Sequence, residues 1–254
     1  MFAFEWLSLA YMAVFGLLAV VTTHARRRGA AFVLSAVGTA LVLVASHAPD
    51  AVRLVLPNIY LILGYWIPAV LITADPLSTA ASPFEQWLSR SDERWRRILP
   101  AVPSPLLMPV ETAYLACYPI VPLSMGLMLA RGGGAALPRF WLTVLSAGLV
   151  CYVSLPWLVS RPPERLASHG SAAITRLNAF VLSRVSHRWT TFPSGHAAVA
   201  WAAAFAVMRV WPVAGMALGI VAAGVSVGAA AGRYHYVIDV LLGLLVAVFA
   251  AVIT

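Results

Sequence analysis

Eight apolar runs, most of them near twenty residues long and almost free of internal charge, narrow the possible folds of this chain more than any other feature. They cover approximately 6–23, 30–46, 54–74, 106–130, 140–159, 194–210, 212–231 and 236–253. A helix rises 1.5 Å per residue, so roughly 20 apolar residues cross the hydrocarbon layer of a bilayer. Lipid offers no partner to a backbone N–H or C=O, which leaves the helix as the form such runs take. Composition agrees. Of 254 residues, 61% are hydrophobic and 10% charged, against about 25% charged in an ordinary soluble domain. The expected fold is all-α, a polytopic membrane helix bundle. The first run begins directly after Met1 with no basic leader, and reads as a span, not a cleavable signal. The third run is interrupted by Pro57, Asn58 and Pro68.

The charged side chains sort by membrane face. The net charge of +8 comes from arginine, since all 17 basic residues are Arg. They occupy short connections between apolar runs and form no continuous stripe, so nucleic acid is not the expected partner. With eight spans, thirteen arginines fall on one face and four (Arg53, Arg131, Arg139 and Arg209) on the other. The positive-inside rule then makes the thirteen-arginine face cytoplasmic and puts both termini outside. An Arg- and Ala-rich chain without Lys points to a bacterial cytoplasmic membrane. Cys117 and Cys151 lie inside apolar runs and give neither a disulfide framework nor a zinc spacing.

Two connections are long. Residues 75–105 mix Phe84, Trp87, Trp95 and Ile98 with Glu85, Arg90, Asp92, Glu93, Arg94, Arg96 and Arg97. That blend predicts a helix lying along the interface as an anchor, with substrate gating as the alternative. Residues 160–193 carry Arg161, Arg165, Arg176, Arg184, Arg188, His169 and His187 and no run long enough to span. In the seventh run Gly215, Gly219, Gly224 and Gly228, with Gly232 beyond it, flatten one helix face, which predicts close helix packing.

Chemistry concentrates where three polar segments return to one face. Phe192-Pro193-Ser194-Gly195-His196 opens the sixth run, Arg233-Tyr234-His235-Tyr236-Val237-Ile238-Asp239 opens the eighth, and Arg161-Pro162 lies in the loop leading to His196. A helix starting near Ser194 offers unpaired N–H groups and a positive dipole end, and Gly195 lets an oxyanion approach the backbone. Arginine makes forked, charge-assisted bonds to phosphate oxygens. His235 and Asp239 are four apart and share a helix face, so the carboxylate can orient one ring nitrogen and leave the other as a nucleophile. Asp239 stands in an otherwise charge-free run, where an ionisable group needs a partner. His196 can then protonate a leaving oxygen.

These residues resemble a known family. Pro193-Ser194-Gly195-His196 matches the PSGH motif of the type 2 phosphatidic acid phosphatase superfamily, His235 to Asp239 matches the HxxxD end of its third motif, and Arg161-Pro162 resembles the RP closing its first. The resemblance implies a six-helix phosphatase core over residues 54–254, carrying the interfacial segment 75–105, with residues 1–53 adding about two accessory transmembrane helices. It implies a lipid phosphate or diphosphate substrate and a mechanism with no cofactor and no metal. His235 would attack phosphorus to form a phosphohistidine, Asp239 would orient it and His196 would act as general acid. Arg161, Ser194 and Gly195 would hold the phosphate oxygens, helped by Arg233, Arg188 and Arg165. The similar inositol-phosphorylceramide and sphingomyelin synthases share the His-Tyr-x-x-Asp pattern, so phosphotransfer is the alternative reaction. A non-catalytic lipid-binding bundle is the alternative class.

The chain departs from the family pattern twice. Ser154 stands where the first motif has Lys, and Gly228-Ala229 where the third has Ser-Arg. Arg165, Arg184 or Arg188 is the expected substitute for the missing Lys, and Arg233 for the missing Arg. His24, His47, His169 and His187 lack motif neighbours and read as structural polar residues, as does Glu111. Trp201 reads as a packing residue.

Overall fold

The computed structural model describes residues 1–21, 27–72, 81–99, 102–163, 172–186 and 189–254. Helices α1 (Ala3–Val21) and α2 (Arg28–Ala45) form an N-terminal hairpin, followed by a short α3 (Asp50–Val55), α4 (Pro57–Ala69) and a charged α5 (Pro83–Ile98). Then come α6 (Ser104–Tyr114), a 3-10 turn (Leu115–Cys117), α7 (Ile120–Ala130), a second 3-10 turn (Gly133–Ala136) and α8 (Leu137–Val153). The chain closes with α9 (Ala172–Val185), α10 (Gly195–Met208), α11 (Pro212–Ala231) and α12 (Val237–Ile253). No strand forms among the described residues; one antiparallel bridge pairs Ser160 with Thr190. This is an all-α multi-pass membrane bundle.

Each expected run carries a helix, but the runs are not equal. Among the described residues, α1, α2, the stretch Gly133–Val153 and α11 are each long and apolar enough to cross alone. The fourth run is broken: Met108–Cys117 and Ile120–Ala130 meet at 67°. Pro119 sits at the break and has no N–H to carry the helical ladder through it. The third run divides at Leu56, and Pro57 starts α4 from its first position. With 14 residues α10 is about 21 Å long, and α12, with 17, about 26 Å. Both fall short of the roughly 30 Å hydrocarbon layer.

At the centre stands α10, packed against α8, α11, α12 and α7. Its Ala197, Ala198, Ala200, Ala202, Ala203, Ala204 and Ala206 are all buried. Small side chains let neighbouring backbones approach closely, which is the way helices associate when lipid removes the usual hydrophobic drive. The glycine face of α11 serves the same end. It packs on α10 and α6, and a Cβ on Gly228 would stand 2.5 Å from the Val110 carbonyl oxygen. On the outside, Leu17, Ile220 and Val252 are 68%, 75% and 76% exposed, as suits a surface whose solvent is hydrocarbon.

The α1–α2 hairpin is bound to the rest by polar as well as apolar contacts. Arg53 reaches fully buried Glu5 through Nε and Nη2 at 2.9 and 2.8 Å, and Tyr11 donates to the Gly64 carbonyl at 2.8 Å. Trp201 packs beside Phe205 and donates to Ser226 Oγ at 3.0 Å. The Glu111 carbonyl accepts from the buried Asn178 amide at 3.2 Å.

The segment expected as an interfacial anchor takes a more central place. Ser82 caps α5 through a reciprocal box with Glu85, and Pro83 occupies the first turn. Arg90, Glu93, Arg94 and Arg97 are exposed, whereas Glu85, Leu88 and Asp92 are buried. Two carboxylates on the inner face of a helix require polar partners inside the protein. Besides Ser82 and Arg96 of the helix itself, those partners are on the segments that converge at the starts of α10 and α12.

Candidate active site

Backbone hydrogen bonds stitch the three polar segments together. Thr190 N–H donates to the Ser160 carbonyl at 2.8 Å, and the Ser160 and Thr190 hydroxyls lie 2.6 Å apart. This joins the strand-like stretch before Arg161 to the one before Ser194. Ser194 N–H donates in turn to the Asp239 carbonyl at 2.9 Å, joining the start of α10 to the first turn of α12. Beneath both, Ser154 Oγ donates to the Phe192 carbonyl. The position where the family pattern has Lys is therefore used here to hold the backbone leading into Pro193.

His235 is presented by the five-residue connection between α11 and α12. The amides of Tyr234 and His235 both donate to the Ala229 carbonyl, at 2.9 and 3.0 Å, and Arg233 turns the chain with φ of 55°. A non-glycine residue in that left-handed region costs roughly 1 kcal/mol. The result aims the imidazole inward, 3% exposed. Its Nδ1 lies 3.5 Å from Asp239 Oδ2, and its Nε2 3.5 Å from His196 Nδ1. Burial pushes the His235 imidazole down to about 4, so at neutral pH the ring is uncharged and one nitrogen keeps its lone pair. Asp239 is the third residue of α12 and accepts the Tyr236 N–H at 3.2 Å. His235 Nδ1 and Asp239 Oδ1 make no hydrogen bond among the described residues.

Aromatic rings wall His196. The rings of Tyr114 and Tyr118 stand edge-on to it with centroids 5.7 and 5.8 Å away, and Tyr114 stacks on Tyr234 at 4.2 Å. The Tyr118 hydroxyl is buried with no hydrogen-bond partner among the described residues. Ser194 and Gly195 are placed at the start of α10, as the helix-terminus reading expects, but their polar atoms are engaged locally. Ser194 Oγ accepts from Ala197 N–H at 3.4 Å and Gly195 N–H donates to Thr191 Oγ1 at 2.9 Å. A side chain at Gly195 would overlap the Tyr152 ring.

The cations divide into an engaged one and an unengaged one. Arg161 grips Glu85 of α5 through its backbone N–H at 2.8 Å, Nε at 3.0 Å and Nη2 at 3.1 Å. Burial works to raise the Glu85 carboxyl, but the hydrogen bonds from Arg161 and Ser82 outweigh it and hold the group below its ordinary value. Arg233, by contrast, makes no ion pair among the described residues, and its buried Nε has no partner there. Arg165 and Arg188, expected to assist, lie outside the described residues, as do His24, His169 and His187.

Glu85 and Asp92 are constituents of this site that sequence reasoning assigned to an anchor. The Ser82-x-x-Glu85 spacing is a signal that could have marked the helix start. No local pattern, however, connects Glu85 with Arg161, 76 positions away. Among the described residues no group of three or more His, Cys, Asp or Glu is arranged to hold a metal ion.

Residues 137–254 match the family model of the PAP2 superfamily. That stretch contains all the motif residues above and begins at α8, leaving α5 outside it. Among curated proteins and solved structures, nothing matches the chain.

Proposed function

The chain belongs to the PAP2 superfamily through residues 137–254, and from that premise we propose that it hydrolyses a lipid phosphate or diphosphate through a phosphohistidine, without a metal ion. Membership of the superfamily supports phosphatase or phosphotransferase chemistry on lipid phosphates in general. The observation that carries the narrower reading is the orientation of His235, with Nδ1 toward Asp239 and Nε2 toward His196, each at 3.5 Å.

In this reading Nε2 attacks phosphorus while Asp239 stabilises the positive charge that develops on the ring. His196 gives its proton to the departing oxygen, and a water then takes the phosphoryl group from His235, with His196 acting as base. The two rings now stand edge to face, so an incoming phosphoryl group must part them. Arg161 and Arg233 take the equatorial oxygens. Arg161 does so by releasing or sharing Glu85, whereas the unpartnered Nε of Arg233 is available at once. With the Gly195 and Ala197 amides occupied, the His196 N–H is the amide of the first turn left for an oxyanion.

A lipid-borne substrate suits the dimensions. His196 stands in the first turn of α10, His235 just before α12 and Asp239 in its first turn, and both helices are shorter than the hydrocarbon layer, which supports a site near or below the headgroup level. A phosphate carried on a lipid arrives at that depth without leaving the membrane.

The test is phosphate release in detergent with EDTA present, from a panel of phospholipid and polyprenyl phosphates. Wild type should release phosphate, His235→Ala should release none, and His196→Ala should lose roughly 100-fold or more in kcat. Release that EDTA abolishes, or that survives His235→Ala, would overturn the mechanism. Release that appears only when an alcohol acceptor is added would replace hydrolysis with phosphotransfer.

A further inference from the structure

We propose that Asp92 and Arg96 of α5 are positioning residues for His235, acting as a clamp on the two ends of the loop that carries it. The inference rests on the reading of His235 as nucleophile. It concerns residues outside the stretch that matches the family, and it uses geometry with no counterpart in the motifs.

That loop leaves α11 at its last turn and enters α12 at Val237. At the α11 end, Arg96 Nη2 donates to the Ala230 carbonyl at 2.9 Å. At the α12 end, Asp92 Oδ1 accepts the Val237 N–H at 3.1 Å. The Val237 amide would otherwise be an orphan, because the first amides of a helix have no partner within it, and the Ala230 carbonyl, which also accepts the Arg233 N–H at 3.3 Å, is tied a second time. The two clamping side chains are joined to each other by Arg96 Nε and Asp92 Oδ2 at 2.6 Å. One ion pair, formed within a single turn of α5, thus spans the loop from end to end.

The clamp bears directly on the nucleophile. Val237 is the first residue of α12 and Asp239 the third, so fixing the Val237 amide fixes the helix end from which Asp239 faces His235. The contact between His235 Nδ1 and Asp239 is 3.5 Å and makes no hydrogen bond; it is not short enough to hold the ring by itself. Nor can Arg233, with φ of 55°, hold the loop, since that conformation is unfavourable for its residue type. The Tyr234 and His235 amides hold the α11 side of the loop on the Ala229 carbonyl, and Asp92, 3% exposed, braces the α12 side from outside the loop. The rest of α5 is docked on the same ensemble. Phe84 and Trp87 pack edge-on to Phe192, at 5.1 and 6.1 Å between centroids, and Glu85 holds Arg161. The amphipathic helix therefore touches all three motif segments.

The experiment compares wild type, Asp92→Ala, Asp92→Asn, Arg96→Ala and the Asp92→Ala/Arg96→Ala double variant. Each is assayed on dioleoyl phosphatidic acid in mixed micelles, or on whichever panel lipid wild type hydrolyses fastest. Amide exchange of the peptide covering residues 232–240 is followed in parallel. Asp92→Ala should lower kcat roughly 10- to 100-fold with KM little changed, as expected for a nucleophile misplaced by about 1 Å, and should speed exchange at Val237. Asp92→Asn keeps an acceptor for the Val237 N–H and should recover part of the loss. The double variant should be no slower than the slower single one, because the pair acts as a unit. Asp92→Ala with wild-type kcat, unchanged exchange at Val237, or losses that multiply in the double variant would each overturn the inference. If Asp92→Ala does not fold, Asp92→Asn and Arg96→Ala decide it by the same kcat and exchange criteria. Failure of the functional reading looks different: wild type itself would turn over no lipid phosphate, and His235→Ala would match it.

Discussion

The departures from the family pattern have local steric causes. A serine at Gly228 would bring its Cβ 2.5 Å from the Val110 carbonyl and 2.9 Å from Tyr114 Cβ, because α6 lies directly on that face of α11. Ala229 is fully buried, and an arginine in its place would have to bring its charge into the packed bundle. Restoring the missing third-motif pair would therefore harm this protein. Gly228→Ser alone should destabilise it by about 1–3 kcal/mol through overpacking, read as a lower melting temperature in detergent with no gain in phosphate affinity. A variant as stable as wild type would show that α6 yields more easily than its packing suggests. Arg233, whose buried Nε has no partner among the described residues, has a left-handed backbone that belongs with the turn that aims His235.

At the scale of elements, α5 changes the account of phosphate binding. Its Glu85 occupies Arg161 with two side-chain hydrogen bonds, so in the proposed function a phosphate taken by Arg161 would meet a competing carboxylate. Glu85→Gln should weaken that competition and tighten inhibition by orthovanadate; unchanged inhibition would mean that Arg161 does not hold the phosphate. The pair also carries a pH signature with a definite sign. The Glu85 carboxyl is held below its ordinary value of 4.5, so its stabilising contribution is complete above about pH 4.5 and fades as pH falls through the lower folded value. The difference in melting temperature between wild type and Glu85→Gln should accordingly be constant from pH 7 to about 5 and shrink below that. The Arg161 side chain is 37% exposed, so solvent screening keeps the effect to about 1 kcal/mol or less.

For the whole molecule, orientation is the open prediction. The arginine tally predicts a cytoplasmic face for the candidate site, and the described arginines fall at two ends of the bundle. Arg96, Arg161 and Arg233 gather at the site, whereas Arg131 lies over Trp211 and Arg209 donates to the Ala251 carbonyl at the other end of the bundle. Cys117 and Cys151 are buried and will not interfere with thiol labelling. In intact cells an impermeant thiol reagent should label Ala135→Cys, at the end opposite the site, and spare Glu93→Cys on the exposed side of α5. The reverse pattern would place the active site outside the cell. The N-terminal hairpin belongs energetically to the bundle: Glu5→Ala leaves Arg53 without its buried partner and should cost about 3 kcal/mol.

The amino-acid sequence alone determined the solvent, the helical class, and the return of the segments carrying Ser194, His196, His235 and Asp239 to one end of the bundle. Apolar run length, helix periodicity and the return of a helical hairpin to one face are local or near-local properties, and they are legible in one dimension. What spans could not be read from run length were those where proline interrupts the ladder, so the break at Tyr118–Pro119 looked like a continuous helix. Only the tertiary structure decided the partners. Glu85 with Arg161, Asp92 with Val237 and Arg96 with Ala230 join residues 76 to 145 positions apart, and an amphipathic helix advertises the same pattern whether its polar face meets water or another part of the chain. Two carboxylates on its inner face had to find donors, and beyond Ser82 and Arg96 of the helix itself those donors were Arg161 and the Val237 amide of the candidate site.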